Sequence, residues 1–224
     1  MSGYIKNHYL TVEQLAACTN ISLEQLKAFI DNSCIPKHSH TITIKSIFHT
    51  DIFGDSEIEE NVFYYHPSLI QFAIKANKYY LDGNFVEVAS KMKNDFFNEL
   101  CQAISEIEIA HSVFQNCFDM NRNVLITEIE KIMVEHWPYI LDGTYGVCLK
   151  EISAKNVLLK NIAVSILEEW VNANDQNKKM LHDKASYAAS LYDKVASEFA
   201  PHEFHKSTRD RLFNKFKSNI ELQK

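Results

Sequence analysis

The sequence predicts a mainly α-helical protein, a helical bundle carrying an N-terminal helix-turn-helix-like module and at most a short β-ribbon. Three observations support this. Five glycines and four prolines in 224 residues are too few for a sandwich of many short, turn-linked strands. At 46% hydrophobic and 12% aromatic residues, the chain can fill a core and does not have the composition of a disordered segment. From Phe85 onward, apolar residues recur at helical spacing between polar breaks.

Taken in order, Thr11 with Gln14 and Ser22 with Gln25 fit the capping-box pattern and open two short helices. Leu10, Leu15, Ile21, Leu26 and Ile30 supply their apolar contacts, and Thr19, Asn20 and Ile21 form the turn, which is the outline of a helix-turn-helix. Cys34, Ile35 and Pro36 stop the helical pattern. Thr41 to Ile44 then alternates polar and apolar, as either a wing-like ribbon or an extended linker does. The stretch from Thr50 to Asn61 is acidic and weakly periodic, so the boundary is placed there, giving a module over 1–50 and a helical domain over 62–224.

In that second domain, Pro67 sits near the first position of a helix bearing Leu69, Ile70, Phe72, Ala73 and Ile74. An amphipathic stretch runs from Phe85 to about Ile107, and another helix spans Val124 to His136. Trp137, Pro138 and the run Asp142, Gly143, Thr144, Tyr145, Gly146 form a glycine-paired turn. Ser153 caps a helix reaching Trp170, Asn172 to Asn177 is a polar break, and helices follow over Lys178 to Phe199 and from Thr208 to about Ile220.

Charge and cysteine usage narrow the function classes. The formal net charge of −6 argues against broad electrostatic binding of nucleic acid, which needs a concentrated basic surface. Acids gather at Asp51, Asp55, Glu57, Glu59 and Glu60, whereas from Pro201 onward six Lys and Arg face three acids. That basic tail has two readings, an internal partner for an acidic face or a site for a polyanion. The odd number of cysteines (18, 34, 101, 117 and 148) includes no pair at the two-residue gap of zinc or redox motifs. Reduced thiols in a cytoplasmic protein are expected. No basic-then-apolar leader opens the sequence and no apolar run approaches membrane-spanning length, so no membrane partner is expected.

Four places could carry chemistry. The second helix of the N-terminal pair has one lysine, Lys27, beside Glu24 and Asp31, which favours a structural or protein-docking module over a DNA reader. Glu108 and His111 have the Glu-x-x-His spacing of one half of a di-iron bundle site, but no second copy exists, so no metal is assigned. The glycine turn offers Thr144, Tyr145 and Cys148, and its alternative reading is a tight interhelical connection with Tyr145 packed inside. No phosphate-binding, dinucleotide or nucleophile-elbow motif accompanies it, and no cofactor follows from the sequence. Near the C-terminus, Ser207 with Asp210 fits a capping box, while Arg209 and Arg211 oppose a helix dipole. They call for either an internal carboxylate or a bound anion, with His202, Glu203 and His205 close by.

Three segments together resemble a family. They are the N-terminal helical pair followed by Cys34, Ile35 and Pro36, the turn of Trp137 with Gly143 to Cys148, and Phe199 to Glu203 with Ser207 to Arg211. In this order they resemble an uncharacterised bacterial family of domain-of-unknown-function proteins labelled natural product biosynthesis proteins. The resemblance spans nearly the whole chain and implies association with biosynthetic gene sets, with no reaction, cofactor or catalytic residue attached. It implies Thr144, Tyr145, His202, Glu203, Arg209 and Arg211 as candidate ligand-binding positions. The sequence-level expectation is therefore a small anionic ligand or a protein partner, held between the glycine turn and the final helix. If the protein is an enzyme, His202 or Glu203 would transfer the proton and Arg209 would clamp the anion. The alternatives are a helix-turn-helix transcriptional regulator with a ligand-sensing helical domain and a structural adaptor.

Overall fold

A computed structural model describes residues 2–221. The chain opens with α1 (Ser2–His8), α2 (Val12–Thr19) and α3 (Leu23–Asp31). Thr11 makes a complete capping box on α2: its hydroxyl accepts from the Gln14 N–H, and the Gln14 side chain accepts from the Thr11 N–H at 2.8 Å. Ser22 achieves only half of one. Its hydroxyl accepts from the Gln25 N–H, but Gln25 turns its amide nitrogen into the interior, where it has no partner. Asn20 ends α2 in the left-handed region at φ 55°. Leu15, Leu26 and Phe29 are fully buried and belong to the same continuous apolar core as the helices that follow.

The acidic stretch read as a boundary is half of a hairpin. Strands β1 (His40–Thr50) and β2 (Gly54–Tyr64) pair antiparallel over their full length, with Ile42 opposite Val62, Ile44 opposite Glu60 and Phe48 opposite Ser56. A three-residue tip closes them. Gly54 takes φ 75°, and the Thr50 hydroxyl accepts from the Phe53 N–H. The period of two is present in β2 but masked, because Glu57 and Glu59 occupy one face while Ser56 and Glu60 interrupt the other. Only the root of the ribbon is buried. There Tyr64 packs with Ile5 and Tyr9, joined by Ile42 and Val62.

The body consists of α4 (Leu69–Tyr79), α5 (Phe85–Glu106), α6 (Ala110–Val113), α7 (Ile126–Leu141), α8 (Thr144–Cys148), α9 (Ala154–Asn172), α10 (Asp175–Val195) and α11 (Lys215–Glu221), the last preceded by a π turn at Arg209–Asn214. Helix α9 is its axis. Val157, Leu158, Ile162, Ala163, Ile166, Leu167 and Trp170 are all buried, so apolar residues surround it as in a central helix.

Several boundaries differ from the sequence reading. Helix α7 continues through Trp137 and Pro138 to Leu141. Proline removes one hydrogen bond near the helix end, and the carbonyl that loses its donor belongs to the exposed Val134. Helix α10 begins at Asp175, because Asn174 accepts from the Asn177 N–H and turns most of the polar break into a cap. It also stops at Val195, short of Phe199. At the C-terminus, the Ser207 hydroxyl accepts from the Asp210 N–H at 3.1 Å, and the chain then enters the wider π turn before it becomes α-helical.

Candidate functional site

The glycine turn is where the ribbon meets the body. Gly143 has φ 86°, and a Cβ there would lie 2.3 Å from the His38 carbonyl oxygen. At Gly146 a Cβ would lie 2.1 Å from Ser39 Oγ and 3.0 Å from His66 Cβ. The segment entering β1 therefore crosses over two residues that lack side chains, and the Lys37 N–H donates to the Leu141 carbonyl at 2.8 Å. Tyr9 closes the junction from the other side. Its hydroxyl donates to the Gly146 carbonyl at 3.1 Å, and its ring meets His40 edge-on at 4.4 Å and His66 at 5.9 Å between centroids.

Two of the sequence-predicted residues arrive here. Glu203 places Oε1 3.6 Å from His40 Nδ1 and 3.8 Å from His202 Nε2. Ser39 Oγ, His40 Nε2 and Glu203 Oε2 are buried with no hydrogen-bond partner in the protein. Beside them lies a half-open cleft of about 420 Å³, lined by Tyr4, His8, Tyr9, His66, Lys150 and Glu198 among others. Burial lowers the His66 imidazole from 6.5 to about 4, opposed by a backbone hydrogen bond at Leu149. Burial likewise lowers His40 despite the neighbouring Glu203 carboxylate, and it raises the Tyr9 phenol. At neutral pH the His40 and His66 imidazoles and the Tyr9 phenol are thus uncharged beside the Glu203 carboxylate, with Lys150 on the wall of the cleft.

The other predicted residues lie elsewhere. Thr144 is exposed at the start of α8, where its N–H donates to Asp142 Oδ1 at 2.9 Å. Tyr145 is buried against the opposite side, with its hydroxyl 2.9 Å from His136 Nδ1 and accepting from Asn161 Nδ2 at 3.4 Å, and burial pushes its phenol up to about 12. Arg209 is buried in the π turn. Its guanidinium donates to Asp193 Oδ1 at 3.1 Å, the Ala196 carbonyl at 3.2 Å and the Ser197 carbonyl at 3.3 Å, and lies over the Tyr192 and Phe213 rings. Arg211 donates to Glu168 Oε1 at 3.1 Å on the surface. Among the described residues, no hydrogen bond or ion pair joins Thr144 or Tyr145 to His202, Glu203 or the two arginines.

Sequence reasoning did not find Tyr9, Ser39, His40 and His66, which come from three segments far apart in the chain. The one available signal is indirect: two glycines three residues apart imply that some backbone approaches closely, without saying which. Among the described residues, no group of three or more His, Cys, Asp or Glu is placed to hold a metal ion. His111 stacks on the Phe118 ring at 3.8 Å.

Beyond the root, the ribbon has two unlike faces. One carries Ile42, Ile44, Ser46, Phe48, Ser56, Ile58, Glu60 and Val62; the other carries Lys45, Ile47, His49, Asp55, Glu57 and Glu59. The second face carries ion pairs, with Lys45 3.5 and 3.1 Å from Glu57 and Glu59, and His49 2.6 Å from Asp55, beside Ile47, 72% exposed, and Phe63, 43% exposed. The first is uncovered. Ile44, Phe48 and Ile58 are 41%, 54% and 48% exposed, and Ile52 and Phe53 at the tip are 84% and 85% exposed. Several large apolar side chains grouped on one ribbon form a patch of the kind that marks an interaction surface, whereas scattered exposed residues need no such explanation.

Among the described residues, no helix is long and apolar enough to cross a membrane. No curated protein and no solved structure matches the chain. One family model does, over residues 92–221, from within α5 to the end of α11, so that the ribbon and its root precede the matched stretch. With more than half of its length matched, the chain belongs to a family of unknown function, DUF6058.

Proposed function

We propose that this chain is a docking protein that holds a protein partner through the apolar face of its ribbon. The observation behind this reading is the run of exposed apolar side chains Ile44, Phe48 and Ile58 on one face of that ribbon, continued at its tip by Ile52 and Phe53. A two-stranded ribbon is at best marginally stable alone in water, so a second surface against its apolar side also stabilises it. The resemblance to bacterial natural-product-biosynthesis proteins supports a cytoplasmic role beside biosynthetic enzymes, as an assembly partner. Helix α1, through Ile5 and the following Tyr9, then serves as a support for the ribbon root.

Two other readings have less behind them. The proposed anion clamp, Arg209, is already engaged by Asp193 and two carbonyls, Arg211 by Glu168, and the junction near Glu203 offers carboxylates. For a DNA-reading helix pair with a wing, the ribbon is acidic where phosphate contact needs cations, and Phe29 of α3 is buried in the core.

The test is purification from the native source with tagged wild-type protein and with Phe48→Glu/Ile58→Glu, each followed by a native mass spectrum. A stoichiometric protein, either another chain or a second copy of this one, retained by wild type and lost from the variant is the expected result. A co-purified small molecule that is retained by the ribbon variant and lost on Glu203→Gln would replace docking with ligand binding.

A further inference from the structure

Among the described residues, Cys148 is the one cysteine whose sulfur accepts a hydrogen bond from a lysine. It ends α8, and Lys160 of α9 donates from Nζ to its Sγ at 2.9 Å. Nitrogen and sulfur are thus already as close as the about 3–3.5 Å from which well-placed atoms react. Neither group is committed elsewhere. Cys148 is a free thiol, whose own hydrogen bonds run to the Thr144 and Tyr145 carbonyls at 3.6 and 3.7 Å. Among the described residues no carboxylate pairs with Lys160, and its Nζ otherwise lies 5.5 Å from the centre of the Tyr145 ring.

The backbone holds the sulfur in place. The Cys148 carbonyl accepts from the Ser197 N–H at 3.2 Å, and Leu149 forms a bridge with Ala196. The flexible four-carbon stem of Lys160 is therefore the part that adjusts. The other thiols differ. Burial pushes those of Cys34, Cys101 and Cys117 up, away from the reactive thiolate. Cys18 is exposed, with no amine against its sulfur among the described residues.

We infer that Cys148 and Lys160 form a peroxide-dependent modification site, at which oxidation closes a covalent sulfur–nitrogen link between α8 and α9. In the first step the sulfur attacks hydrogen peroxide. The O–O bond breaks, a sulfenic acid forms and one water leaves, so that sulfur is oxidised by two electrons and the peroxide is reduced. In the second step Lys160, having released its ammonium proton to solvent, attacks the sulfur as a free amine. The S–N bond forms, the S–O bond breaks, and the hydroxyl leaves as water with one of the amine's hydrogens. One thiol, one amine and one peroxide thus give one sulfenamide and two waters. Sulfenic acids condense in this way with a nitrogen held beside them. Two molecules of a thiol reductant reverse the link, restoring cysteine and amine and leaving as a disulfide.

The link has a chemical and a mechanical consequence. It intercepts the sulfenic acid before the irreversible sulfinic acid forms, which would place a charge on a side chain only 8% exposed. It also ties the helix that carries Gly146 beneath the ribbon root to α9, the axis of the body.

The test is treatment of the full chain with a few-fold molar excess of hydrogen peroxide, in a Cys18→Ser background that removes the exposed thiol. Intact mass and peptide mapping without reductant follow. The expected product has lost two hydrogens, has gained no oxygen, joins Cys148 and Lys160 in one linked peptide pair and reverts with dithiothreitol. The same treatment in urea, where the contact is lost, should leave that pair unlinked. Lys160→Arg keeps the positive charge but offers an always protonated guanidinium in place of an amine. Its Cys148 should instead gain two oxygens and fail to revert. The parent protein decides alone should Lys160→Arg fail to fold. A parent Cys148 that stays a free thiol, that gains two oxygens without linking, or that joins another cysteine in place of Lys160 overturns the inference.

Discussion

Acidification should unfold this protein partly through one side chain, His66. Its imidazole is buried between Gly146 and the Tyr9 ring, and its Nδ1 accepts from the Ser68 N–H at 3.1 Å. Burial holds the folded-state value at about 4 against 6.5 for a free imidazole. Above pH 6.5 both folded and unfolded chains carry the neutral ring and the group contributes no pH dependence. Between 6.5 and 4 the unfolded chain takes up a proton that the folded chain refuses, so stability falls as pH falls. The loss integrates to about 2 kcal/mol at pH 5 and about 3 kcal/mol at pH 4, a large part of the total stability of a domain. Urea unfolding of wild type and His66→Asn at pH 7, 6, 5 and 4 measures it. The variant keeps an acceptor close to the position of Nδ1 and does not titrate. His38, His40 and His136 are also depressed by burial and slope the same way, so both proteins weaken in acid, and the difference between their slopes isolates His66. Two parallel curves, offset by a constant at every pH, would refute the reasoning.

Gly146→Ala should cost about 1–3 kcal/mol through overpacking against Ser39 and His66, read as a lower urea midpoint; Gly3→Ala, with nothing within 4 Å, is the control. Arg209→Leu should destabilise by about 2–4 kcal/mol, because it strips the donor from Asp193 and two carbonyls, and Arg209→Lys should recover little because an ammonium lacks the fork. Arg211→Ala should stay within about 0.5 kcal/mol, as expected for an exposed ion pair. Tyr145→Phe removes the part-buried hydrogen bonds to His136 and Asn161 and should cost about 1–2 kcal/mol by thermal unfolding.

The helical body was legible in the sequence because its signals are local. The Phe85 and Ser153 helix starts, the Asn-rich break before α10 and the Thr11 capping box each involve residues within one turn of one another. The ribbon was half legible. Thr41 to Ile44 alternates visibly, but in β2 the alternation is between acidic residues and a face broken by Ser56 and Glu60, so hydropathy shows no period and the acids suggest a linker. The candidate site was least legible, since it depends on which distant segment fills the space left by Gly143 and Gly146. Glu203 was found, while its neighbour His40 comes from 163 positions earlier in the chain. Arg209 and Arg211 stood out as cations in a first helical turn. Their carboxylate partners, Asp193 and Glu168, lie on α10 and α9, where nothing local to the arginines could indicate them.

The same contacts that hide the site explain how an exposed ribbon can serve as a docking arm. A free hairpin of two strands flexes and frays, and a flexible arm loses conformational entropy when a partner fixes it. Here the first residues of the arm are clamped. The His38 carbonyl rests on Gly143, Ser39 on Gly146, the Lys37 amide is bonded to Leu141, and the Ser39 amide donates to the Tyr64 carbonyl at 2.9 Å. Tyr9 ties α1 to the same turn while Ile5 and Tyr64 pack beneath. The direction in which the ribbon leaves the body is therefore set by α7, α8 and α1, and only the outer rows are free to adjust to a second face. Gly146→Ala is accordingly expected to weaken retention of a ribbon-bound partner in the native purification more than its effect on folding alone would do, because it moves the root from which the ribbon face is aimed; equal retention by a folded Gly146→Ala protein would show that the ribbon finds its partner without that aim.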